Sequence, residues 1–137
     1  MVLEVNLIGV WHGCAVFGRR FVDQGTPAHI VNTGSEHSLG VPHLRAGAYT
    51  ASKHAVLGLS DVLRRELPDH VKVSVLCPGI VPSRLAEAAR NRPERFGGPL
   101  EPDDGPAMPA DTGIPADEVG RCWRIPEPAP SRLPVPS

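Results

Sequence analysis

Residues 28–77 read AHIVNTGSEHSLGVPHLRAGAYTASKHAVLGLSDVLRRELPDHVKVSVLC, and the order of patterns inside that stretch decides the fold. Its first six residues, Ala28 to Thr33, form a short run with β-branched Ile30 and Val31 and predict a strand. From Ala48 to Leu67 the apolar positions Val56, Leu59, Leu63 and Leu67 recur at helical spacing. Arg64 and Arg65 suit the last turn of that helix, and Pro68 stops it. Val71 to Cys77 (VKVSVLC) predicts a second strand. Upstream, Leu3 to about Val22 sets Leu7, Val10, Trp11, Cys14, Phe17 and Phe21 on one helical stripe, which Gly25 can end. Helix, strand, helix, strand implies a parallel βαβ unit of an α/β protein. Two strands and two helices leave bare sheet edges, so something further is expected to complete this core.

The bulk composition excludes several classes of function. At 137 residues with a formal net charge of −1, the chain is at most one domain and lacks the basic surface that nucleic acid or anionic lipid attracts. Cys14, Cys77 and Cys122 are odd in number and show no CxxC spacing, which fits a reduced, cytoplasmic compartment. The histidines show no metal-ligand spacing, so no metal site is expected. Glu4, Asn6, His12, Arg19 and Arg20 interrupt the opening apolar stretch, leaving neither a membrane span nor a signal peptide.

Composition changes near residue 92. Prolines recur from Pro93 to Pro136, a density through which neither a helix nor a central strand can run. Residues 1–91 are therefore expected to form the partial α/β domain, and residues 92–137 a largely irregular or disordered tail. One short helix is expected in it, from Pro115 to about Trp123, with Asp117 and Glu118 in its first turn.

The chemistry centres on Tyr49 and Lys53. At i and i+4 on a helix they share a face. A cation beside a phenol stabilises the phenolate and brings its titration from about 10 towards working pH. A tyrosine tuned in that way can exchange a proton with a carbonyl or an alcohol.

Four stretches in order resemble the short-chain dehydrogenase/reductase family, over about residues 3–90. Asn6 in VNLIGVWHG looks like the family's asparagine in the helix before the catalytic strand. IVNTGS, residues 30–35, resembles the strand ending in the active-site serine, which makes Ser35 the match. AYTASKHAV, residues 48–56, is similar to the Tyr-x-x-x-Lys helix, giving Tyr49 and Lys53. CPGIVPS, residues 77–83, looks like the Pro-Gly turn after the next strand, with Ser83 where the family carries threonine.

The resemblance implies a partial Rossmann-like, doubly wound fold and hydride transfer between NAD or NADP and a small alcohol or ketone. It implies Tyr49 as general acid or base, Lys53 as its electrostatic partner and as ligand of the nicotinamide ribose, and Ser35 as holder of the substrate oxygen. Asn6 would support a water chain resupplying protons through Lys53. Pro78, Gly79, Val81 and Ser83 would lie against the nicotinamide. The family's glycine-rich TGxxxGxG turn has no match: Gly9, Gly13 and Gly18 fall in a helical stripe that follows no strand. ADEVGR, residues 116–121, is similar to a late family helix, after which the match is lost and a truncated or frame-shifted product is expected. Arg84, Arg90, Arg92 and Arg95 could favour an anionic substrate, though a solvated face suits them better. Two readings follow. One is an enzyme of the family, incomplete as an isolated chain. The other is a catalytically inactive piece acting through association, with helices 3–22 and 48–67 as the homodimer face and Ala48, Ala51, Ala55 and Gly58 allowing close approach.

Overall fold

The computed structural model describes residues 1–41, 44–83, 91–99 and 113–121. The first helical stripe opens with a π turn, Glu4–Ile8, closed by the Gly9 N–H on the Glu4 carbonyl oxygen. It continues as α1, Gly9–Gln24, which ends where Gly25 takes the left-handed conformation at φ 67°. Then come β1, Ala28–Thr33, a short 3-10 turn, Glu36–Leu39, and α2, Gly47–Glu66, followed by β2, Val71–Leu76. The helix over residues 48–67 and the strand over 71–77 thus fall within one residue of their expected bounds.

β1 and β2 pair in parallel, with Ala28 opposite Val71 and Thr33 opposite Leu76. Both strands therefore end side by side at Thr33 and Leu76, and the site residues follow those ends. Among the described residues the sheet has only these two strands, so both outer edges are unpaired. The core forms where α1 and α2 lie on the sheet: Cys14, Ile30, Val71 and Val73 are buried, with Val10, Phe21, Leu59, Leu63 and Leu67 packed on them. Val56 and Ser60 of α2 are wholly buried. Gly18 of α1 is buried and faces Leu67 and Ile30.

The first stripe is wider than the surface that covers it. Cys14 is buried, yet Trp11 and Phe17 are 56% and 52% exposed. The sheet covers one side of α1, and Leu7, Trp11 and Ala15 border a groove against α2.

A polar thread runs through this core. Asn32 Nδ2 donates to Ser60 Oγ at 2.9 Å and lies 3.4 Å from Cys14 Sγ, while Ser60 Oγ donates to the Val56 carbonyl oxygen at 2.7 Å. It ties β1 to both helices, and among the described residues every buried side-chain polar atom is paired.

Contacts divide the chain between Gly79 and Ile80. In the second unit, Glu94–Phe96 forms a 3-10 turn capped by Gly97, and the Ile114 N–H donates to the Ile80 carbonyl oxygen at 3.0 Å. The helix expected from Pro115 to about Trp123 is α3, Ala116–Arg121, with an Arg121–Asp117 ion pair at 2.6 Å. Most of the expected irregular tail, residues 100–112 and 122–137, lies outside the described residues, as do Arg84 and Arg90.

Candidate active site

Parallel strands leave a crevice at their carboxyl ends, where α/β proteins bind ligands. Here β1 runs into Gly34-Ser35. Gly34 is required sterically: a Cβ there would stand 2.9 Å from both Cys77 Sγ and Val75 Cγ1. Ser35 caps the 3-10 turn. Its Oγ accepts from the His37 N–H at 3.3 Å, its own N–H donates to Ser38 Oγ at 3.2 Å, and it is buried. Ser38 Oγ in turn donates to the Lys53 carbonyl oxygen at 2.7 Å, docking the turn on α2.

Tyr49 and Lys53 stand one turn apart near the start of α2. Lys53 Nζ lies 5.7 Å from the centre of the Tyr49 ring and donates to the Thr33 carbonyl oxygen at 2.8 Å. Half-burial of the ammonium pushes its pKa below the usual lysine value, and the neighbouring Cys77 opposes by raising it. Tyr49 also meets the imidazole of His37 edge to face, ring centres 5.0 Å apart and planes at 88°.

Asn6 sits in the π turn and donates from Nδ2 to Ser52 Oγ at 3.3 Å. Ser52 is wholly buried and donates to the Tyr49 carbonyl oxygen at 2.6 Å. Asn6 therefore reaches the tyrosine through Ser52 and the helix backbone. Pro78 is close to the serine turn, since its carbonyl oxygen accepts from the Glu36 N–H at 2.9 Å; Gly79 is close too, because a Cβ there would lie 3.3 Å from Glu36 Oε2. Val81 and Ser83 belong to the second unit.

So the first unit brings together Ser35, Tyr49, Lys53, Asn6, Pro78 and Gly79 at one end of the sheet. The sequence reading missed His37, Ser52 and the Thr33 carbonyl. Ser52 could have been found, being at i+3 from Tyr49 on the same helix. A backbone carbonyl leaves no trace in sequence.

These residues fit part of a dinucleotide. An ammonium has three donors and Lys53 spends one on Thr33, so capacity remains for ribose hydroxyls. For a pyrophosphate the described residues offer no glycine-rich strand-to-helix turn: Gly9, Gly13 and Gly18 all lie inside α1. Among the described residues no cluster suits a metal ion, and no helix is long and apolar enough to cross a membrane.

The sequence profile described as short chain dehydrogenase matches residues 1–94. The chain belongs to the short-chain dehydrogenase family. It is 42% identical over 85 residues to the probable oxidoreductase EphD of Mycobacterium tuberculosis H37Rv, a match covering 61% of this chain and 14% of that protein. It is 37% identical over 97 residues to a C alpha-dehydrogenase of Sphingobium sp. SYK-6, covering 70% of this chain and 32% of the relative. Among solved structures it resembles a short-chain dehydrogenase/reductase from Burkholderia phymatum crystallised with NAD. That match has a TM-score of 0.66 and 41% identity, over 74% of this chain and 37% of the other. The chain thus spans well under half the length of each of these relatives.

Proposed function

We propose that this chain supplies the acid–base half of an NAD(P)-dependent oxidoreductase acting on a carbonyl or a secondary alcohol. The observation that carries the reading is the Lys53 ammonium, held between the Thr33 carbonyl and the Tyr49 ring at the carboxyl end of the sheet. Bound nicotinamide would supply or accept hydride at the substrate carbon. Tyr49 would donate its proton to the carbonyl oxygen in reduction and take it back in oxidation. Lys53 would stabilise the phenolate electrostatically and donate to the ribose hydroxyls. Ser35 Oγ accepts from the His37 N–H, and that arrangement leaves its own O–H to hold the substrate oxygen. Asn6 would support the water that returns protons through Lys53. Pro78 and Gly79 would border the nicotinamide.

The test is titration of the purified chain with NADH and NADPH, read by the fluorescence of the reduced nicotinamide. Saturable binding that weakens in Tyr49→Phe and Lys53→Ala supports the reading and gives the preferred cofactor. A folded chain that binds neither cofactor at millimolar concentration overturns it. The substrate class is a small alcohol or ketone, and the reduced Cys14 and Cys77 suit a cytoplasmic setting.

A second reading concerns association. Between α1 and α2 runs a groove of about 560 Å³, lined by Leu7, Trp11, Ala55, Gly58 and Val62 among others. It offers a protruding, exposed Trp11 beside the small Ala55 and Gly58, the combination a self-complementary two-fold contact uses. The occupant we propose is a second copy of this chain.

A further inference from the structure

His37 is buried, at 6% exposure, and its imidazole has no role in the chemistry set out above. Three contacts converge on it. Its backbone N–H donates to Ser35 Oγ at 3.3 Å. Its Nδ1 lies 2.8 Å from Thr50 Oγ1. Its ring meets the Tyr49 ring edge to face at 5.0 Å. Thr50 adjoins Tyr49 on α2, so the bond to Thr50 fixes the imidazole to the same helix that carries the phenol. The backbone contact fixes the same residue to the serine. Edge-to-face geometry is the favoured arrangement of two aromatic rings, because the positive edge of one meets the negative face of the other.

We propose that His37 is a positioning residue, holding Ser35 Oγ and the Tyr49 phenol in one mutual arrangement. The inference rests on the reading that Ser35 and Tyr49 address the same substrate oxygen. Two groups converging on one atom lose most of their effect when either is misplaced by about 1 Å. Ser35 sits on a turn after a strand and Tyr49 on a helix, and His37 touches both. A histidine that merely filled space would leave Tyr49 indifferent to the Thr50 hydroxyl.

Tyr49 is the sole tyrosine of the chain, so ring-labelled tyrosine reports on it alone by NMR, without cofactor or turnover. The variants are Thr50→Val, which keeps shape and removes the hydroxyl, and His37→Ala and His37→Phe. In Thr50→Val the imidazole ¹⁵N signals change and the Tyr49 ring signals shift with them, while the β1 and β2 amides stay as in the wild type. His37→Ala abolishes the ring-current displacement of Tyr49, and His37→Phe restores part of it. Tyr49 signals identical to wild type in folded Thr50→Val overturn the proposal, even if His37→Ala fails to fold. A chain that binds no nicotinamide yet shows these shifts would sink the proposed function and leave the His37 packing intact, so the two failures are separable.

Discussion

The Lys53 ammonium donates to the Thr33 carbonyl oxygen at 2.8 Å, bridging α2 to the carboxyl end of β1. Thr33 is the last residue of its strand and pairs with Leu76, so its carbonyl lies where the next ladder bond would begin. The lysine is thus a structural clamp as well as a cation beside Tyr49.

Replacing it removes both functions. Lys53→Met should weaken binding of reduced nicotinamide by at least about tenfold, the loss expected for a charge-assisted hydrogen bond of roughly 1.5–3 kcal/mol. Fluorescence titration checks this, and unchanged affinity would remove Lys53 from the site.

The same residue sets a pH dependence. Desolvation lowers its folded-state pKa from 10.5. Between that lowered value and 10.5 the unfolded chain binds more protons than the folded one, so stability contributed by this group rises with pH. Below the folded value the cost of burying the ammonium is fully present. Wild type should therefore gain stability relative to Lys53→Met as pH rises from neutral towards 10.5. Urea midpoints for the two proteins across that window measure it, and a parallel course would contradict it.

Ser60 is wholly buried and receives the amide of Asn32 at 2.9 Å. Ser60→Ala leaves that donor with only the weak Cys14 sulfur, at a cost of about 1–3 kcal/mol. Equilibrium unfolding measures the loss, and a neutral result would mean that water or a shift in Asn32 replaces the bond.

Gly34→Ala forces a methyl group to within 2.9 Å of Cys77 Sγ and Val75 Cγ1 and 3.0 Å of Ser38 Oγ. Overpacking of this kind costs about 1–3 kcal/mol. Because Ser38 bonds the Lys53 carbonyl, the variant should also weaken nicotinamide binding. Loss of stability with full binding would separate the serine turn from the lysine.

Trp11→Glu places a charge on the exposed lip of the groove between α1 and α2. Sedimentation should show wild type as a dimer and the variant as a monomer with an unchanged far-ultraviolet spectrum. A wild-type monomer at all concentrations would refute the association reading.

The sequence revealed the elements because their signals are local. Gly25 after an apolar stripe, Pro68 after Arg65, and β-branched runs at residues 28–33 and 71–77 each mark an end or a period that the backbone must obey. The Tyr49–Lys53 pair was legible for the same reason, since helical spacing alone brings the two side chains together. The π turn at Glu4–Ile8 was not, because one extra residue in a turn leaves the apolar stripe intact. Trp11 and Phe17 share the stripe with Cys14, yet the stripe does not say how much of α1 the sheet covers. His37 escaped because its contacts come from a capped 3-10 turn meeting α2, and no period joins those two elements.

The most direct test of the account is saturation-transfer NMR on NADH in the presence of the purified chain. Lys53 and Tyr49 are proposed to hold the nicotinamide and its ribose, while the glycine-rich turn that would cradle the pyrophosphate has no counterpart among the described residues. The account predicts strongest saturation on the nicotinamide and its adjoining ribose protons, weak saturation on adenine, and loss of the pattern in Lys53→Met. Saturation strongest on adenine, or a pattern unaffected by Lys53→Met, would contradict it.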